Sequence, residues 1–302
     1  MKKHSSMALV VFAVCMVSYS GPMVKGALNE GASPISVALL RMLAAALLML
    51  PYEARQCVRR RIPMKLTPAQ WGLTALAAAF LAAHYITWIT SLTGTSTFAS
   101  VALVCTQPLF VAFFSYVLFR ERIPRRALPG ALLALLGAVT IALSGLSGQE
   151  AQATGQEALR SNLLALAGAV LMAAHWLAGR QIRQTLAAEV YTPVLYLITA
   201  LLLALCLPLS GGFRMPLSAL PYMAGLVIGS TLLGHAVFAY ALSGVSANVI
   251  SFALLGEPVG AMIFSMIFFG EVPTWPVALG GLLTLMGLAL YLAFAGGEKQ
   301  PA

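Results

Sequence analysis

Aspartate is absent from the 302 residues, so all nine acidic residues are glutamate. Paired-aspartate chemistry and aspartate-based metal cages are thereby excluded. Charge of either sign is scarce: 9% of residues are charged and 60% are hydrophobic, whereas a soluble domain carries about 25% charged residues. No soluble monomer could cover its surface from that supply. Cysteine is sparse too. Cys15, Cys57, Cys105 and Cys206 are far apart, form no CxxC and sit mostly inside apolar runs, as small hydrophobes packed between helices do. Neither a Walker A loop nor an HExxH occurs, so no ATP-driven mechanism and no zinc-peptidase signature is visible. With a mean hydropathy of +0.89 spread over the whole length, a soluble enzyme, a disordered chain and a collagen-like fibre are all ruled out. The composition is that of an all-α integral membrane protein.

A membrane helix needs about 20 mainly apolar residues. Gly, Pro and Arg clusters divide the chain into ten such runs: 6–25, 34–52, 69–91, 95–119, 127–146, 160–181, 191–209, 218–241, 245–269 and 275–295. The short alternating segments of a porin-like barrel do not occur. The first run imitates a cleavable signal peptide, with Met1, Lys2, Lys3 and His4 before an apolar stretch that ends near Gly21. A similar helix opens the second half at Ser161, where no signal peptide could be, so the first run is read as structural.

Lys and Arg gather in short cytoplasmic loops. With the N-terminus inside, 14 of the 18 basic residues fall on the cytoplasmic side, among them Arg59, Arg60, Arg61, Arg120, Arg122, Arg125 and Arg126. Lys25, Arg160 and Arg214 fall outside, and Arg41 lies within a span. Both termini are then cytoplasmic, in the cytoplasmic (inner) membrane. The same clusters account for the pI of 9.7 as juxtamembrane anchors that touch anionic lipid, not nucleic acid.

The halves 1–150 and 151–302 match at a fixed spacing. Gln107-Pro108 answers Glu257-Pro258, Glu121 answers Glu271, Gly130 answers Gly280 and Gly137 answers Gly287, each pair 150 residues apart. His84 and His235 are 151 apart. Five helices per half is an odd number, so the second half enters the membrane from the opposite side. Inverted five-helix repeats with a site near the midplane are a secondary-transporter architecture.

The segment Leu254-Leu255-Gly256-Glu257-Pro258-Val259-Gly260-Ala261 through Phe269-Gly270-Glu271, with Gly280, Gly281 and Gly287 behind it, resembles the second-repeat signature of EamA-type transporters in the drug/metabolite transporter superfamily. Gln107-Pro108-Leu109-Phe110 to Phe119-Arg120-Glu121-Arg122 is similar to the first-repeat counterpart. The resemblance implies a ten-helix exporter of amino acids or related metabolites; relatives move nucleotide sugars, sugar phosphates or drugs. Gln107 departs from the hydrophobic or acidic residue expected before the first-repeat proline. The His84, His175 and His235 set belongs to no motif of the family.

Ionisable side chains inside a span are costly and usually face a cavity or a partner. Glu257 and Gln107 fall mid-span, and Arg41 within about one turn of the middle of its own. Arg41 could grip a substrate carboxylate or phosphate with both prongs of its guanidinium, pair internally with Glu257, or snorkel towards the outer surface. Glu257 beside Pro258 could be a proton or substrate-amine site at a hinge. Pro108 and Pro258 could equally kink two helices to fit the bundle. His84 and Trp88 share a face four residues apart, and His175 sits beside Trp176. With His235, these residues are candidate cavity walls and proton carriers. Tyr19, Tyr85 and Tyr240 are further wall candidates. Glu121 and Glu271 read as structural anchors at helix ends. Gly225 and Gly229 form a GxxxG that leaves monomer or homodimer open.

The leading expectation is an exporter of a small metabolite, without metal or other cofactor, coupled to protons or to a counter-substrate. An intramembrane enzyme would need a nucleophile with a base, or a metal cluster such as three converging histidines. A non-transporting sensor or a lipid scramblase is the other alternative.

Overall fold

The computed structural model describes residues 3–120, 124–144, 155–234 and 254–295. Among these there is no strand. Helix α1 (Lys3–Ser18) and α2 (Ser20–Asn29) are two pieces of one span, broken at Tyr19. Next come α3 (Pro34–Arg60), α4 (Pro68–Ser91), α5 (Thr97–Val104), α6 (Gln107–Phe119) and α7 (Leu128–Ser144). The second half holds α8 (Gly155–Ile182), α9 (Ala188–Cys206), α10 (Leu220–Ala224), which runs into a π-helix over Gly225–Gly234, then α11 (Glu257–Phe269) and α12 (Trp275–Ala295). Eight helical segments are long and apolar enough to cross a membrane, and two shorter apolar ones cover Leu217–Leu233 and Glu257–Phe269. The remainder of the expected spans 218–241 and 245–269 lies outside the described residues, as do His235, Tyr240 and Glu121.

Local chemistry sets the helix starts. Ser33 caps α3 by accepting from the Ser36 amide at 3.3 Å, and Pro34 fills its first position, where proline's missing donor costs nothing. Thr67 and Gln70 form a reciprocal capping box ahead of α4. The second apolar run ends at residue 52, but the helix does not. The α3 helix continues through Glu53 and Arg55 to Arg60, because water-exposed polar residues are good helix formers, and it stops at Arg61 with φ 54°.

Glycines let the two halves meet. A Cβ on Gly130 would lie 2.8 Å from the Gly287 carbonyl oxygen, and one on Gly280 would lie 2.8 Å from the Gly137 carbonyl oxygen. Helices α7 and α12 therefore cross antiparallel, backbone against backbone. Exchanging each residue with its partner 150 positions away turns the first contact into the second, so the crossing is symmetric under exchange of the repeats. The Gly225 and Gly229 face is used inside the chain, against Tyr19 and Met23. Large side chains such as Leu132, Leu136, Leu201, Leu205 and Leu118 are more than half exposed; on a multi-pass membrane protein this is the lipid-facing surface.

Candidate functional site

Helices α4 and α8 run antiparallel and are stapled twice. His84 Nδ1 lies 2.9 Å from the Gly168 carbonyl oxygen, and His175 Nδ1 lies 2.9 Å from the Ala77 carbonyl oxygen. A carbonyl only accepts, so both Nδ1 atoms carry the proton and donate. On α4 the donor His84 and the acceptor Ala77 stand seven residues, about two turns, apart, and each histidine reaches across to the other's helix. This reciprocal arrangement gives both rings a packing duty and leaves Nε2 as the remaining polar atom. His84 stacks on Trp88 with ring centroids 5.8 Å apart and 14° between planes, as their spacing on one face predicts. Tyr85 meets His84 edge-on at 5.1 Å.

Arg41 adjoins this aromatic group. Its guanidinium sits 5.2 Å from the Tyr85 ring centroid, and the residue is 4% exposed. Two hydroxyls hold it: Nε donates to Thr231 Oγ1 at 3.2 Å and Nη1 donates to Ser20 Oγ at 3.1 Å. Thr231 in turn donates to the Leu226 carbonyl at 3.2 Å. That bond spans five residues, the π-helical interval. Both hydroxyls come from irregular helix, Ser20 from the first residue after the Tyr19 break and Thr231 from the π-helix. No ion pair joins Arg41 to Glu257. Tyr196 of α9 lies within electrostatic reach of Arg41 and Tyr85.

Pro108 and Pro258 stand at interruptions of the helical hydrogen-bond ladder. Helix α5 ends at Val104 and α6 begins at Gln107-Pro108; turn residues 255 and 256 precede α11, which begins at Glu257-Pro258. Each proline sits in the first turn, where it removes no helical hydrogen bond. The two breaks occupy corresponding places in the repeats, and α5 packs on α11. The Glu257 carboxylate stands at a helix N-terminus, where the macrodipole favours negative charge. Paired broken helices with their termini at mid-depth are how transporter folds build a site inside a membrane.

Two polar atoms of this group, Trp88 Nε1 and Gln107 Oε1, are buried with no hydrogen-bond partner among the described residues. One is a donor and the other an acceptor. Trp176 stands apart at 57% exposure, with no ring contact to the cluster. No group of three His, Cys, Asp or Glu close enough to hold a metal occurs among the described residues. Ser20 and Thr231 escaped the sequence reading because a lone hydroxyl in an apolar span is ordinary. The signals that point to them are helix-loosening neighbours, Gly21-Pro22 for Ser20 and Gly229-Ser230 for Thr231.

The family model for EamA-like transporters matches residues 4–143 and 159–293 of this chain. No curated protein matches it. Twenty solved chains do, and one of them, described only as "Crystal structure of protein", shares 18% identity at a TM-score of 0.63 over 98% of this chain and 100% of its own. At that identity the likeness speaks for the fold alone.

Proposed function

The chain belongs to the EamA-like transporter family, and on that premise we propose that it is a secondary transporter exporting amino acids or related small metabolites, coupled to protons or to a counter-substrate. Ten helices in two inverted five-helix repeats, with both termini cytoplasmic in the cytoplasmic membrane, would alternate access to one central site. The observation that supports the reading is the Arg41 guanidinium, buried, in no ion pair among the described residues, and held by Ser20 and Thr231. An uncompensated buried cation is expensive, and an anionic ligand group compensates it. In this reading Arg41 takes the substrate carboxylate, and Glu257 or Gln107 Oε1 faces the substrate amine. Trp88, His84 and His175 wall the site, and the breaks at Pro108 and Pro258 act as hinges. Trp176 and His235 remain candidates for the wall.

The test is ligand-induced thermal stabilisation of the purified protein across amino acids, nucleotide sugars and organic cations, since a ligand of the folded state raises the apparent melting temperature. A carboxylate-bearing compound should stabilise the wild type, and Arg41→Lys should lose most of that shift despite keeping the charge. Equal stabilisation of both proteins would return Arg41 to a packing role. Orientation is tested by cysteines introduced at Gly94 and Gln149, which should react with an impermeant reagent from outside, while one at Arg60 should not.

A further inference from the structure

At one end of the bundle the polar groups join into a plate. Lys25 Nζ donates to the Leu92 carbonyl at 2.7 Å and to the Thr95 carbonyl at 3.4 Å, and lies 3.7 Å from Glu271 Oε1. The other carboxylate oxygen of Glu271 accepts from the Thr97 amide at 3.1 Å. Thr95 Oγ1 donates to Asn162 Oδ1 at 2.7 Å, and Asn162 Nδ2 donates to the Ile141 carbonyl at 3.0 Å. The plate ties α2, the end of α4, the start of α5, α7 and α8 to Glu271, two residues beyond the end of α11. Both charges sit where helix dipoles favour them, Lys25 on carbonyls at the end of α4 and Glu271 on the first amide of α5. Their side chains are only 16% and 21% exposed, so water screens the pair incompletely.

The three elements that meet at Lys25 and Glu271 lead directly to the central site. Ser20, on Arg41, and Lys25 stand on the same ten-residue helix α2, about 7.5 Å apart along its axis. Helix α5 runs from Thr97, beneath Glu271, to the break beside Cys105. Helix α11 begins at Glu257 and ends one residue before Gly270, with Glu271 next. Each is a short rod with one end in a helix break at the site; α5 and α11 have their other end beside the ion pair, and α2 carries Lys25 five residues after Ser20, its first. Just below the pair the rods touch: a Cβ on Gly21 would lie 3.0 Å from side-chain carbons of Thr97 and Val101. At the far end of the molecule, the pair between Arg60 and Glu189 has a different character, because the Arg60 side chain is 62% exposed and such pairs contribute little.

We propose that Lys25 and Glu271 form a charge latch that closes this end of the path, and that movement of the three rods at the central site breaks it. The word "path" rests on the transporter reading; the latch itself is measurable without any substrate.

The test uses the full chain with Cys105 as its one remaining cysteine, the other three replaced by serine. The readout is the rate at which an impermeant maleimide, added from the Lys25 side of the membrane, modifies Cys105. Lys25→Met and Glu271→Gln should each raise that rate about tenfold, which corresponds to about 1.4 kcal/mol of latch energy. Arg60→Met should leave it unchanged. An unchanged rate in any folded neutralised variant overturns the proposal. Failure of both single variants to fold also overturns it, since the pair is then a fold pin and not a latch. Faster labelling in a protein that moves no solute in liposomes would leave the latch standing and remove the transporter reading.

Discussion

Thr231→Val is the smallest change that tests how Arg41 is held. Valine keeps the volume of threonine and removes one oxygen. That oxygen accepts from Arg41 Nε at 3.2 Å and donates to the Leu226 carbonyl at 3.2 Å. Arg41 and Thr231 are each 4% exposed, so water cannot replace either bond. Hydrogen bonds between neutral groups on membrane helices average about 0.6 kcal/mol, and bonds to charged groups reach about 1.5 to 3 kcal/mol. A buried guanidinium left with an unpaired N–H belongs in the upper part of that range, about 2 kcal/mol. At roughly 2 to 3 °C per kcal/mol for a chain of this size, the melting temperature in detergent should fall by about 4 to 6 °C. Thr231→Ser keeps the oxygen and should fall by about a third of that. Ser20→Ala removes the second support of the same guanidinium, so the double variant should depart from the sum of the singles. A Thr231→Val protein that melts within about 1 °C of wild type would refute the idea that Arg41 is fixed by this hydroxyl.

Two further predictions concern the frame. Gly137→Ala should destabilise the protein by about 2 kcal/mol or more in chemical or thermal unfolding, because its Cβ would meet the backbone of Gly280 and Thr284, outweighing the gain of up to about 1 kcal/mol from alanine's helix propensity; stability at or above wild type would contradict the close crossing of α7 and α12. Arg120→Gly should stabilise by about 1 kcal/mol, because Arg120 holds a left-handed φ of 56° where its repeat counterpart is Gly270 at φ 65°, and a lower melting temperature would show that the arginine side chain earns its place there.

What could be read from the sequence was whatever leaves a periodic or compositional trace. Long apolar runs placed eight helical segments, and the 150-residue spacing of Gly130, Gly137, Gly280 and Gly287 proved to mark residues that touch one another across the repeats. The shared face of His84 and Trp88 followed from helix geometry alone. The internal pairing of Arg41 with Glu257 was left open as an alternative, and the structure shows no such pair. Their spans are fixed by the packing of whole helices, which no local pattern reports. The grip on Arg41 was invisible for the same reason, since Ser20 and Thr231 are 21 and 190 residues away from it. The π-helix at Gly225–Gly234 has the composition of an ordinary apolar helix. Pro108 and Pro258 were legible as irregularities, but whether a proline kinks a helix or restarts one depends on the two residues before it adopting a turn. Lys25 and Glu271 were each read as a loop charge or an anchor; only the folded chain brings them to one place.

The most direct test of the account is solute flux through the purified protein in liposomes, comparing wild type with Glu257→Gln. Gln107 occupies the corresponding position in the first repeat, so an amide should be tolerated by the fold at residue 257. The wild type should accumulate at least one labelled amino acid or related metabolite against its gradient when a pH gradient is imposed. Glu257→Gln should lose that accumulation while still exchanging the same compound between equal concentrations at equal pH. A variant that accumulates like wild type would remove Glu257 from proton coupling, and a wild-type protein that moves no member of the panel faster than protein-free liposomes would contradict the account.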